Sequence, residues 1–156
     1  MKRKFAILIL LWGLIFLANK AEALDIIVTG DWSETINVSD LISGAGSDLI
    51  DSYESASNAV SLSISGTTGT WRIDVKRVDT TWHGDFILYV KRTSDGTGGG
   101  VSGGTAYQEV TGSDLSFFSG SDDVSGINTQ LKLSGVSIQI PADTYTTTIY
   151  YTVVDT

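Results

Sequence analysis

Residues 70–92, TWRIDVKRVDTTWHGDFILYVKR, alternate with a period of two. Trp71, Ile73 and Val75 fall on one side, and Arg72, Asp74 and Lys76 on the other. Further on, Phe86, Leu88 and Val90 share one face and Ile87 and Tyr89 the opposite one. This is the period of a β-strand, not of a helix. The polar residues between the two runs predict a hairpin. Its strands carry five of the six basic residues that follow residue 23.

The same reading extends along the chain. Leu24, Ile26 and Val28 predict a first strand, residues 34–38 a short second one, and Val60, Leu62 and Ile64 a third with serines on its other face. Residues 39–56 read as a long loop with one helical turn near 48–53. Residues 94–105 hold six glycines. Glycine loses the most backbone freedom on folding, so this run predicts an exposed, mobile loop. Short strands are expected at 107–111 and 116–118, with an acidic turn at 120–123. Residues 130–133 and 136–140 read as strand pieces interrupted at Ser134-Gly135. In the last run Tyr145, Thr147, Ile149, Tyr151 and Val153 oppose Thr146, Thr148, Tyr150, Thr152 and Val154. It is β-branched and aromatic, as strands prefer. About eight to ten short strands and no long helix predict an all-β fold, an antiparallel, immunoglobulin-like β-sandwich, with a small closed barrel as the alternative.

The N-terminus has a different character. Lys2, Arg3 and Lys4 precede an apolar run over residues 5–17, and Ala21-Glu22-Ala23 is a small-x-small cleavage site. These are the three parts of a secretory signal peptide, residues 1–23. Thirteen residues at about 1.5 Å each fall short of a ~30 Å hydrocarbon core, so the protein is expected not to span a membrane after cleavage. The expected destination is outside the cell, in the periplasm or at the cell surface. Residues 24–156 then form a single domain.

The leader takes Lys2, Arg3, Lys4, Lys20 and Glu22 with it. Of 10 basic and 18 acidic residues, 6 and 17 remain, a net charge of −11. Such a surface repels phosphate, which argues against nucleic acid as a partner. There is no cysteine. Thiol catalysis, thiolate metal sites and haem attachment are therefore excluded, and stability has to come from packing and strand pairing.

The glycine run contains G-x-G-x-x-G at Gly98, Gly100 and Gly103, and G-x-S-x-G around Ser102. Both motifs need a helix after them to supply donors to a phosphate or oxyanion. A strand is predicted instead, so neither carries chemistry here. His83 is the only histidine. A Ser-His-Asp arrangement would have to use it, and a polar turn residue is the simpler account. Asp122 and Asp123, or Asp95 beside the glycines, offer oxygen ligands for calcium but follow no known loop spacing. No catalytic residue, metal site or cofactor is predicted.

Trp71 lies on an apolar strand face and reads as core, whereas Trp32 and Trp82 lie at strand ends. Exposed aromatics of that kind stack on sugars, which makes Trp32 and Trp82 the candidate glycan contacts; the plainer account is that they cap the sandwich. Arg72, Lys76 and Arg77, with Lys91 and Arg92 on the next strand, predict a basic strip on an acidic body. Cross-strand pairing with Asp74 and Asp79 accounts for it, and so would a contact with the acidic surface of another copy.

Residues 140–154, IPADTYTTTIYYTVV, resemble the closing strand of secreted bacterial pilin-type subunits of the spore-coat-U and fimbrial groups. There a Pro-x-Gly/Asp-x-Tyr turn leads into a Thr- and Val-rich last strand. The resemblance implies an immunoglobulin-like subunit of a surface fibre, with self-association or contacts to other envelope proteins. In that scheme the strand of Leu24, Ile26 and Val28 would be donated to a neighbour's sheet edge. Two functions follow as expectations: a non-enzymatic structural or cell-surface subunit, or a secreted glycan-binding module.

Overall fold

The computed structural model describes residues 23–156. The expected leader lies outside them except for Ala23. None of the described helices is long and apolar enough to cross a membrane.

Among the described residues eleven strands form two antiparallel sheets packed face to face, an antiparallel β-sandwich. They are β1 (Asp25–Gly30), β2 (Tyr53–Glu54), β3 (Val60–Ser65), β4 (Thr70–Thr81), β5 (Ile87–Arg92), β6 (Thr97–Gly98), β7 (Val101–Gly103), β8 (Gln108–Glu109), β9 (Leu115–Ser121), β10 (Val124–Ser134) and β11 (Thr146–Asp155). The larger sheet runs β1-β3-β10-β5-β8, with β2 and β6 also on β10; the smaller runs β11-β4-β9-β7.

Alternation fixes the core. Leu62 and Ile64 of β3, Trp71, Ile73 and Val75 of β4, and Leu88 and Val90 of β5 are buried between the sheets. Two bulges adjust the count. The β4–β9 register slips between Ile73 and Asp74, and this turns both Phe117 and Phe118 inward. On β10 the register slips between Val124 and Ile127, around Gly126 with φ +72°, and both apolar residues are again buried.

The expected hairpin over 70–92 is not formed. Its two strands exist, but β4 belongs to the smaller sheet and β5 to the larger. Phe86 N donates to His83 O (3.1 Å) in the turn where the chain crosses over. The basic strip dissolves with the hairpin. Arg72 pairs with Asp74 (2.6 Å) and Arg77 with Asp79 (2.5 Å), each within one strand, and Lys76 pairs with Asp114 (2.9 Å). The Arg72 hydrogen bond holds the Asp74 carboxyl below the usual carboxylate range. Lys91 and Lys132, both on the larger sheet, lie over the Tyr107 ring at 4.3 and 4.5 Å.

The glycine segment is not a mobile loop. It crosses between the sheets and adds β6 to one and β7 to the other. It passes so close to the β9–β10 corner that a Cβ on Gly99 would lie 1.9 Å from Ser121 O. Buried Arg92 ties it down by donating to Gly103 O (2.8 Å) and Ser94 O (3.2 Å) and by pairing with Asp95.

Residues 34–38 form no strand; the local element is a 3-10 turn at Val38–Asp40, capped by Asn37. No helical turn forms near 48–53, where Leu41 and Leu49 bridge instead. Residues 136–140 are likewise not a strand. Asp48 accepts from Ile138 N (2.9 Å) and from the Ser137 hydroxyl (3.3 Å), which bends them away.

Candidate functional site

β1 and β11 are the outermost strands of their sheets and face each other along one side of the sandwich. Between them lies a groove of about 840 Å³. Gly30 sets its shape. Its φ is +101°, and an added Cβ would lie 2.1 Å from Ala59 O, so only glycine lets the chain turn there into residues 31–36. That segment forms one rim of the groove and brings Trp32 to it. The other rim is the turn through Pro141 to Tyr145 and the first half of β11.

The groove is apolar at its floor and polar at its rims. Val60, Leu88, Leu131 and Tyr151 reach it from the core. The Tyr151 hydroxyl is buried beside Thr129, and burial pushes its pKa up to about 12. Asp31, Glu34, Asp143 and several threonines line the rims.

One end is an aromatic corner. Phe86 meets Trp82 edge-on at 5.4 Å and Tyr145 at 5.0 Å. Trp82 Nε1 donates to Phe86 O (3.2 Å), and the Arg77 guanidinium lies 4.9 Å over the indole. The Tyr145 hydroxyl donates to Pro141 O (2.7 Å), so the turn that leads into β11 is fixed from within.

The structure therefore brings Trp32 and Trp82 to one groove, as neither their spacing nor their local sequence indicates. Both are half-buried and packed against the core. Trp82 has one face under Arg77 and its edge against Phe86, whereas Trp32 keeps no such cover among the contacts described. Of the expected assembly strand, Ile26 and Val28 lie opposite Ile64 and Leu62 on the inner face, and Leu24 packs against the core. Within this chain β1 is seated on its own β3, in register from Asp25↔Ser65 to Gly30↔Val60.

His83 sits in the aromatic corner, with its ring edge-on to Phe86 and Tyr145. Its Nδ1 accepts from Asp85 N at 3.3 Å. Two of the three acids weighed for calcium are engaged elsewhere. Asp123 accepts from Thr67 N (3.0 Å), and Asp95 pairs with Arg92. Among the described residues no three His, Asp or Glu gather as a metal-binding group.

Sequence reasoning missed the free edge of β11. The signal was present: from Thr144 to Val154 there is no charged residue and no proline. Strand edges are normally protected by Lys, Pro or a bulge, and this one has only the register slip at Thr146. No family model matches the chain, and neither a curated protein nor a solved structure matches it.

Proposed function

We propose that the protein is an exported, non-enzymatic structural subunit that acts at the cell surface by associating with further copies, as the pilin-type subunits resembled by its last strand do. The observation that carries this reading is the open side of the sandwich, where two long strand edges flank an apolar groove. Unpaired edges template the addition of another strand. β1 is suited to exchange. It pairs with β3 alone and gives the core only Ile26, with Leu24 just ahead of it, while Ile27 is 55% exposed. The β1 of a neighbour can occupy the same register on β3 at little cost.

Deleting residues 24–28 is expected to abolish assembly by strand donation and leave a soluble, folded chain. Light scattering and negative-stain imaging of the exported protein read the first result, and far-UV circular dichroism the second. Assembly that persists unchanged in the deletion variant sinks strand donation.

The second reading is a secreted glycan-binding module, favoured by one observation: Trp32 stands on the wall of a groove whose rims carry carboxylates and hydroxyls. Tryptophan fluorescence titration across a glycan panel tests it. A response lost in Trp32→Ala supports this reading, and a silent panel removes it.

A further inference from the structure

We infer that β11 is the interface of a two-fold dimer, in which the β11 strands of two copies pair edge to edge, antiparallel, around Tyr150. This rests on the self-association proposed above but not on donation of β1.

The backbone parity of β11 follows from its pairing. Thr156 N donates to Thr70 O (3.1 Å), and the register runs unbroken from there back to Thr147↔Asp79. In an antiparallel ladder, hydrogen-bonded and non-bonded pairs alternate. The even-numbered residues therefore turn their N–H and C=O groups toward β4. Ile149, Tyr151, Val153 and Asp155 turn theirs to the open side, where no other strand among those described pairs with them.

A two-fold axis normal to the sheet, passing at Tyr150, uses these groups. Ile149 bonds to Tyr151 of the second copy, and Tyr151 to its Ile149. Every side chain keeps its face: Tyr150 meets Tyr150 and Thr148 meets Thr152 on the outside. Aromatic and Thr–Thr cross-strand pairs are among the stabilising ones.

Charge does not oppose a second copy at this edge. The chain beyond residue 23 carries −11, so two copies repel over most approaches. β11 is uncharged up to Asp155. On the outer face of the strand beside it, Arg72 and Asp74 neutralise each other, and Lys76 is paired with Asp114. A relation of this kind, with the same patch on both partners, closes a dimer.

The absence of cysteine gives a clean test. Tyr150 is 48% exposed and would sit in a non-hydrogen-bonded pair, at about 4.5 Å between Cα atoms, within disulfide reach. Val78, one strand inward and 49% exposed, would stand well beyond reach of its mate. Under mild oxidation, Tyr150→Cys is expected to form covalent dimers at least roughly tenfold faster than Val78→Cys. Tyr150→Lys, which sets like charges opposite each other, should weaken dimerisation roughly five- to tenfold with an unchanged far-UV circular dichroism spectrum. If the native chain is oligomeric and Tyr150→Cys links no faster than Val78→Cys, the β11 interface is overturned and self-association stands. If the native chain is monomeric at all concentrations and neither variant links, both are overturned.

Discussion

Trp71→Ala is expected to destabilise the domain by about 3–5 kcal/mol, the range for removing a large aromatic from a core. A domain of this size has roughly 5–15 kcal/mol in total, so much of the population would unfold at moderate temperature. Trp71 has no exposed surface and lies between the sheets, edge-on to Phe118 at 6.1 Å. Its Nε1 also donates to Asp122 O (2.8 Å). That bond supports the β9–β10 corner, where Asp122 takes φ +59°, a conformation Asp tolerates better than most residues. Trp71→Phe separates the two contributions. It keeps much of the apolar contact but leaves the Asp122 carbonyl without its donor, a loss of about 1–3 kcal/mol. Urea unfolding followed by circular dichroism measures both variants. A loss below about 1 kcal/mol in Trp71→Ala would mean that the core does not depend on this residue.

The faces of the strands were legible in the sequence, and their partners were not. Val60, Leu62 and Ile64 point inward as their alternation requires, as do Trp71, Ile73 and Val75. Alternation says which side of a strand is buried and nothing about which strand lies beside it. Residues 70–92 therefore read equally well as a hairpin and as two strands on opposite sheets. What decides is the turn at Trp82–Phe86, whose aromatic side chains pack into the open side and carry the chain across. The bulges on β9 and β10 hid in the same way: Phe117-Phe118 and Val124-Ile127 break the period because the register slips beneath them.

The groove was legible only in part. Trp32 and Trp82 stand out as aromatics at strand ends, but their meeting depends on residues 31–36 and 140–149, more than a hundred positions apart. The glycine segment misled for a physical reason. Glycine signals freedom when the chain is in solvent and close approach when it is packed, and composition cannot distinguish them. Here the Cβ positions of Gly98 and Gly99 would fall 2.3 Å from Asp123 O and 1.9 Å from Ser121 O, so these two positions are glycine because there is no space for a side chain.

Gly120 is where that crowding bears on the core, and Gly120→Ala is expected to cost about 3 kcal/mol, the upper part of the range for overpacking. Trp71 and Gly120 are direct cross-strand partners. An added Cβ would lie 2.4 Å from Trp71 Cζ2, 2.5 Å from its Cη2 and 2.5 Å from Gly100 O. The indole cannot retreat, since it is fully buried and hydrogen-bonded, and the third neighbour is backbone. The lack of a side chain at Gly120 is thus what lets the indole lie across the neighbouring strand. The two residues act as one unit, and their substitutions should not add. In a Trp71→Phe background, which lacks the outer ring that carries Cζ2 and Cη2, the same Gly120→Ala change should cost at least about 1 kcal/mol less. Urea titration of the two single variants and the double variant closes the cycle. Strict additivity would mean that the cost arises at Gly100 alone, and that the small residue serves the glycine crossing and not the tryptophan.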